Sequence, residues 1–247
     1  MKILGMFESL LVSVRSELFR PTNGNTPKKL EKELAAAKLR LSAAGVALSR
    51  KHKGGEMEAA RAAHQEVLCL ERSLADSKGE SHAVPCDFPV AWDVGAPLPY
   101  LFKSDNAAFL TFYSRTIQND GWDGRSVKIV APSSTEICSI CLVKFKSCAS
   151  AKLGHPNDEV LCGHPLYGRG LEGYTAQIVK NSPWLKEVAK TNSVHSNDKP
   201  QRWSRVNHYI FWFHDSTFEC LAESYEIEMH SGTMREVLSR CGEQLLK

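Results

Sequence analysis

Apolar positions in the first third of the chain recur at steps of three and four. Ile3, Phe7, Leu10, Leu11, Val14 and Leu18 share one face of a helix expected over residues 1–20, with Glu8, Arg15 and Glu17 opposite. After the linker-like PTNGNTP, Thr26 and Pro27 supply an N-cap and a first-turn proline. Leu30, Leu34, Ala37, Leu41, Ala44 and Leu48 then keep a heptad spacing. Lys-His-Lys-Gly-Gly at 51–55 interrupts it, and Ala60, Ala63, Val67, Leu70 and Leu74 resume it. The pattern predicts an antiparallel, coiled-coil-like helical hairpin over residues 26–78. Its alanines thin the seam, so the hairpin needs a further surface: the N-terminal helix, the C-terminal domain or another chain.

Residues 79–99 carry four prolines and few periodic apolars, and read as a linker or an arm draped on the domain that follows. From residue 100 to 247 the period changes. The short runs YLFK, AAFLTFYSR, SVKIVA, EICSICLVKFK, YTAQIV, NHYIFWF and TFECLAESYEIE are rich in β-branched and aromatic residues and separated by Gly, Asn, Asp or Pro. They predict a mainly antiparallel sheet domain, with helices over 183–191 and at the C-terminus. The expected fold class is therefore α+β: an N-terminal helix and a helical hairpin, then an antiparallel β-sheet domain with a C-terminal helix.

The run from Val206 to Glu228 mixes bulk and titratable groups most densely. If Asp215 and Ser216 form a two-residue turn, one face shows His208, Ile210, Trp212 and His214 against Thr217, Glu219, Leu221 and Glu223. The other face, Tyr209, Phe211 and Phe213 against Phe218, Cys220 and Ala222, is fit for a core. This register sets Glu219 diagonal to His214 and Glu223 opposite His208, pairings that orient an imidazole. A three-residue turn dissolves the cluster.

Composition narrows the chemistry. A net charge of +3, from 31 basic and 28 acidic side chains, is too small for the field that phosphate-binding proteins use, so nucleic acid is not an expected partner. The first residues lack a signal peptide's form and no apolar run reaches the length of a membrane span. With those features, the eight cysteines read as thiols of a soluble cytoplasmic protein. Cys138 and Cys141 form a CxxC, but residues three apart on a strand face opposite ways, so no shared metal is expected and the metal ligand set is empty.

The segment 154–174 has five glycines and two His-Pro pairs, yet matches no phosphate-binding pattern. It presents His155, Asp158, Glu159, His164, Tyr167 and Arg169. With Asp215 and Glu223 of the hairpin, Asp158, Glu159, Tyr167 and Arg169 are the candidate ligand-binding residues, while His164, His208, His214 and Glu219 are the candidate catalytic ones. Ser216 lies in no nucleophile elbow. No cofactor is indicated. The expectation is an interaction protein whose residues 26–78 dock a protein partner or a second copy, and whose C-terminal domain binds a ligand. The alternative is a hydrolase or metal-dependent enzyme with a His/Glu site formed by the loop and the hairpin.

Overall fold

A computed structural model describes residues 10–12, 26–50, 54–92, 95–115, 131, 133 and 135–246. The chain runs β1 (Leu10–Val12), α1 (Pro27–Arg50), α2 (Gly54–Ser77), β2 (His82–Pro85), β3 (Tyr100–Lys103), β4 (Ala107–Tyr113), β5 (Cys138–Lys146) and β6 (Ser150–Gly154). It continues through a 3-10 turn at Asp158–Gly163 to β7 (Ala176–Lys180), α3 (Pro183–Asn192), α4 (Pro200–Trp203), β8 (Asn207–Trp212), β9 (Thr217–Ala222), β10 (Ser224–Gly232) and α5 (Met234–Leu245). The α+β class is the expected one.

The two helices pack together as a hairpin, with Leu34, Ala37 and Leu41 of α1 against Val67, Leu70 and Leu74 of α2. A second face of α2 buries Leu68, Arg72 and Ala75, and the helix lies against β2. Of the three surfaces open to the hairpin, the C-terminal domain is thus one it uses. Arg72 is the anchor. Its Nε donates to Ala83 O and its Nη2 to Gly170 O, each at 3.0 Å, and the neighbouring Glu71 carboxylate accepts from Gly170 N at 3.3 Å. The Pro-rich segment is an arm on the domain: residues 82–85 are a strand, and Cys86, Phe88, Val90 and Trp92 pack into the core.

The expected antiparallel β-sheet domain is a sandwich of two five-stranded sheets, ordered β1-β10-β5-β4-β3 and β2-β7-β8-β9-β6. The reason lies at Glu223. TFECLAESYEIE reads as one β run, but it divides there, β9 pairing in the second sheet and β10 in the first. Between the sheets lie Phe112, Phe145, Tyr209, Phe211, Phe213, Phe218 and Tyr225, with Trp92 stacked on Phe211 at 5.8 Å. Offset and edge-on ring contacts of this kind add to the area they bury. The CxxC faces opposite ways as parity demands: Cys141 enters this core, while Cys138 packs toward α5.

Helix α5 covers the outer face of the first sheet through Met234, Val237 and Cys241, and a Thr233/Glu236 capping box starts it. Residues 10–12, within the segment expected as a helix, form a strand antiparallel to β10; a Leu-Leu-Val triplet serves either state, and an open sheet edge decides for the strand. The rest of 1–20, and all of SVKIVA but its last residue, lie outside the described residues. Strand β6, too short and polar to signal itself, pairs with β9.

Gly170 holds φ at +80°, and a Cβ there would stand 2.4 Å from Arg72 Cγ and 2.7 Å from Ala83 O. Gly170→Ala is therefore expected to lower stability by about 2 kcal/mol or more, read as a shifted urea midpoint at constant slope.

Candidate functional site

Strand parity in the β8–β9 hairpin is the predicted one, and its register differs by two residues. Trp212 pairs with Thr217, Ile210 with Glu219 and His208 with Leu221. Phe213 N donates to Ser216 O, so the two-residue turn is His214-Asp215, one position before the expected Asp215-Ser216. A shift of two keeps every side chain on its face while changing its neighbours. Glu219 is consequently diagonal to His208 and not to His214, and Glu223, expected opposite His208, pairs with Arg205 at 3.2 Å.

The face expected to be polar is itself largely covered. The glycine-rich loop folds over it through Leu166 and Leu171, which pack on Ala83, Val179, Ile210 and Trp212. At the other end Trp184, Leu185, Val188 and Ala189 of α3 pack with Trp203, Val206 and Leu221. Between these two covers lies a cavity of about 580 Å³. Four adjacent strands supply its floor: Val179 from β7, His208 from β8, Glu219 from β9 and Lys152 from β6. His155, Pro156, Val160, His164, Pro165 and Leu166 of the loop form one wall, and Pro183 and Trp184 of α3 the other.

A chain of polar contacts runs under this floor. Ser182 Oγ lies 2.8 Å from His208 Nδ1, and His208 Nε2 lies 2.8 Å from Glu219 Oε2. Glu219 Oε1 meets Lys152 Nζ at 2.7 Å. Burial raises the Glu219 pKa, but hydrogen bonds from His208 and Lys152 outweigh it and hold the carboxyl down at about 2. A carboxylate can only accept, so His208 carries its proton on Nε2. Serine, histidine and glutamate in a row resemble a nucleophile triad, but Ser182 does not line the cavity. It is buried, and its oxygen accepts Leu185 N–H as the N-cap of α3.

His164 reaches the same cavity from the loop. Its Nδ1 accepts Leu166 N–H at 3.2 Å, which places the ring proton on Nε2, and its edge meets Trp212 at 5.3 Å. Burial lowers its pKa, which favours the neutral imidazole. His214, by contrast, belongs to a separate cluster at the hairpin tip. Its Nδ1 is 2.9 Å from Asp158 Oδ2, the Tyr174 hydroxyl donates to the same oxygen, and Asp158 N donates to His214 O. These contacts fasten the cavity's loop wall to the β8–β9 turn. The hydrogen bond to Asp158 raises the His214 pKa, and those from Tyr174 and His214 lower that of Asp158. Burial, together with Asp158, pushes the Tyr174 hydroxyl up to about 12, so it stays a donor.

Three of the four candidate catalytic residues, His164, His208 and Glu219, thus share one cavity, and His214 stands apart from it. Of the candidate ligand-binding residues, Asp158 joins the latch, Arg169 pairs with Glu80 at 3.3 Å, and Glu159, Tyr167 and Asp215 are exposed. Glu223 lines a separate polar groove with His195, Lys199, Arg202 and Arg205. Sequence reasoning missed Lys152, Ser182 and Trp184 as site residues; Ser-Pro-Trp after a strand marks the cap and first turn of α3, and only tertiary contact joins Lys152 to them. Among the described residues no group of three or more His, Cys, Asp or Glu side chains is placed to hold a metal ion.

Two pH dependences follow. Glu219 is depressed in the fold, so its stabilisation is complete above the ordinary glutamate value of 4.5 and is lost as pH falls toward about 2. Thermal melts of wild type and Glu219→Gln are expected to differ at pH 6 and to converge by about pH 2. The raised His214 acts with the opposite sign, stabilising below its ordinary value of 6.5 and losing that contribution as pH rises through the folded value. An NMR titration of His214 is expected to show its pKa falling back in Asp158→Asn.

Compared with protein-family models, curated proteins and solved structures, the chain matches none.

Proposed function

We propose that this chain is a small-molecule-binding protein whose ligand sits on the outer face of the second sheet, between the glycine-rich loop and α3. One observation carries this reading: four adjacent strands each place one residue on the floor of a single cavity. Its volume of about 580 Å³ falls within the range of small-ligand sites, and its walls combine apolar surface with a few fixed polar groups. Binding is favoured over hydrolysis because Ser182, which bonds the cavity histidine His208, is buried beneath the floor as a helix cap. In this reading the helical hairpin serves the site indirectly, holding the loop wall through Arg72 and Gly170.

A second reading, docking of a partner or a second copy through residues 26–78, draws on exposed apolar residues of the hairpin. Leu39 and Val46 are seven residues apart on one face of α1, and Met57 of α2 is exposed as well. A cytoplasmic location agrees with eight unpaired thiols, and no described helix is long and apolar enough to cross a membrane.

Fragment screening by NMR tests the main reading. Hits are expected to shift the Trp184 indole together with the His164 and His208 imidazoles, and hits scattered over the surface would sink it. For the second reading, light scattering on the full chain is expected to show a dimer that Leu39→Glu and Val46→Glu together return to a monomer.

A further inference from the structure

The cavity has one occupant of its own. Lys152 Nζ stands 4.9 Å from the centroid of the Trp184 ring and 2.7 Å from Glu219 Oε1. An aromatic face and a fixed carboxylate converging on one nitrogen are the two elements of a cation site. The lysine fills that site from the edge of the sheet, since β6 is the last strand in its order.

The parts of this site differ in how firmly they are held. Glu219 is 13% exposed and is gripped from below by His208, which Ser182 in turn orients from the cap of α3. Trp184 packs edge-on to His208 at 5.1 Å. Lys152 is 59% exposed on a flexible stem, and an ion pair open to water to that degree adds little net stability. The negative charge and the ring are therefore built in, whereas the ammonium is replaceable.

We infer that the cavity takes a small organic cation, an ammonium group on an apolar stem, which displaces Lys152 from Trp184 and Glu219. This rests on the reading of the cavity as a ligand site. The stem would lie along Pro156, Val160, Leu166, Val179 and Pro183, which supply the apolar lining of the cavity. An anion is disfavoured by the same charges. With Lys152 in place the ion pair on the floor sums to zero, and with Lys152 swung away the floor is negative.

The two charge classes give opposite outcomes for one substitution, because Lys152 competes with a cation and would attract an anion. Isothermal titration of the full chain with benzyltrimethylammonium, benzyl alcohol and benzoate separates them, with thermal melts to confirm folding. The cation is expected to bind best, to bind at least tenfold more tightly to Lys152→Met, and to lose at least tenfold with Glu219→Gln. Trp184→Leu, which leaves the carboxylate and its partners in place, should also weaken it and serves if Glu219→Gln does not fold. Preference for benzoate or benzyl alcohol, or a cation affinity that Lys152→Met lowers or leaves unchanged, overturns the inference while the cavity remains a ligand site. Failure of all three probes to bind wild type and Lys152→Met overturns both.

Discussion

A single buried guanidinium sets where the parts of this molecule sit. Arg72 is 2% exposed, and a charge removed from water is costly unless it finds hydrogen-bond partners and an opposite charge. It finds them on two elements far apart in sequence, the carbonyls of Ala83 in β2 and Gly170 in the loop, with the Glu172 carboxylate 3.8 Å away. These directional bonds fix the distance between the helical hairpin and the sheet edge more tightly than apolar contact could. They also determine the path of the loop, because only a residue without a Cβ fits beneath the arginine. The cavity wall is thus positioned from the hairpin side by Arg72 and from the sheet side by the His214, Asp158 and Tyr174 cluster.

Legibility in the sequence followed the range of the physics involved. The hairpin seam at Leu34, Ala37, Leu41, Val67, Leu70 and Leu74 is written in local periodicity, and so is the division of the Val206 to Glu228 run into two faces. Register was not legible to the same degree. A two-residue turn at His214-Asp215 and one at Asp215-Ser216 give the same faces, so the pattern of apolar and polar positions does not choose between them. The partition into two sheets was hidden for a related reason, since the passage from β9 to β10 at Glu223 involves no proline or glycine to announce it. Lys152 and Trp184 are assigned to the site by tertiary contact alone, with 31 residues between them in sequence.

The polar row beneath the cavity shows how a site can be stabilised without being exposed. Each member does two things: Ser182 caps a helix and orients an imidazole, His208 forms part of the floor and holds a carboxylate, and Glu219 answers both a histidine and a lysine. Buried polar groups are tolerable when such mutual satisfaction is complete. Low solvent access then fixes their geometry, so that their positions are set by the fold itself.

The passage at Glu223 has a consequence for how the molecule comes apart. Because β9 ends and β10 begins within one residue of it, the two sheets cannot separate like the covers of a book without tearing one strand from its ladder. The long ladder from β10 to β5 joins residues 78 to 94 positions apart, and the short one from β9 to β8 closes across a single turn. Partial opening would therefore break local and distant pairings together. The sandwich should behave as one cooperative unit in hydrogen exchange, with slow-exchanging amides of both sheets released only by global unfolding.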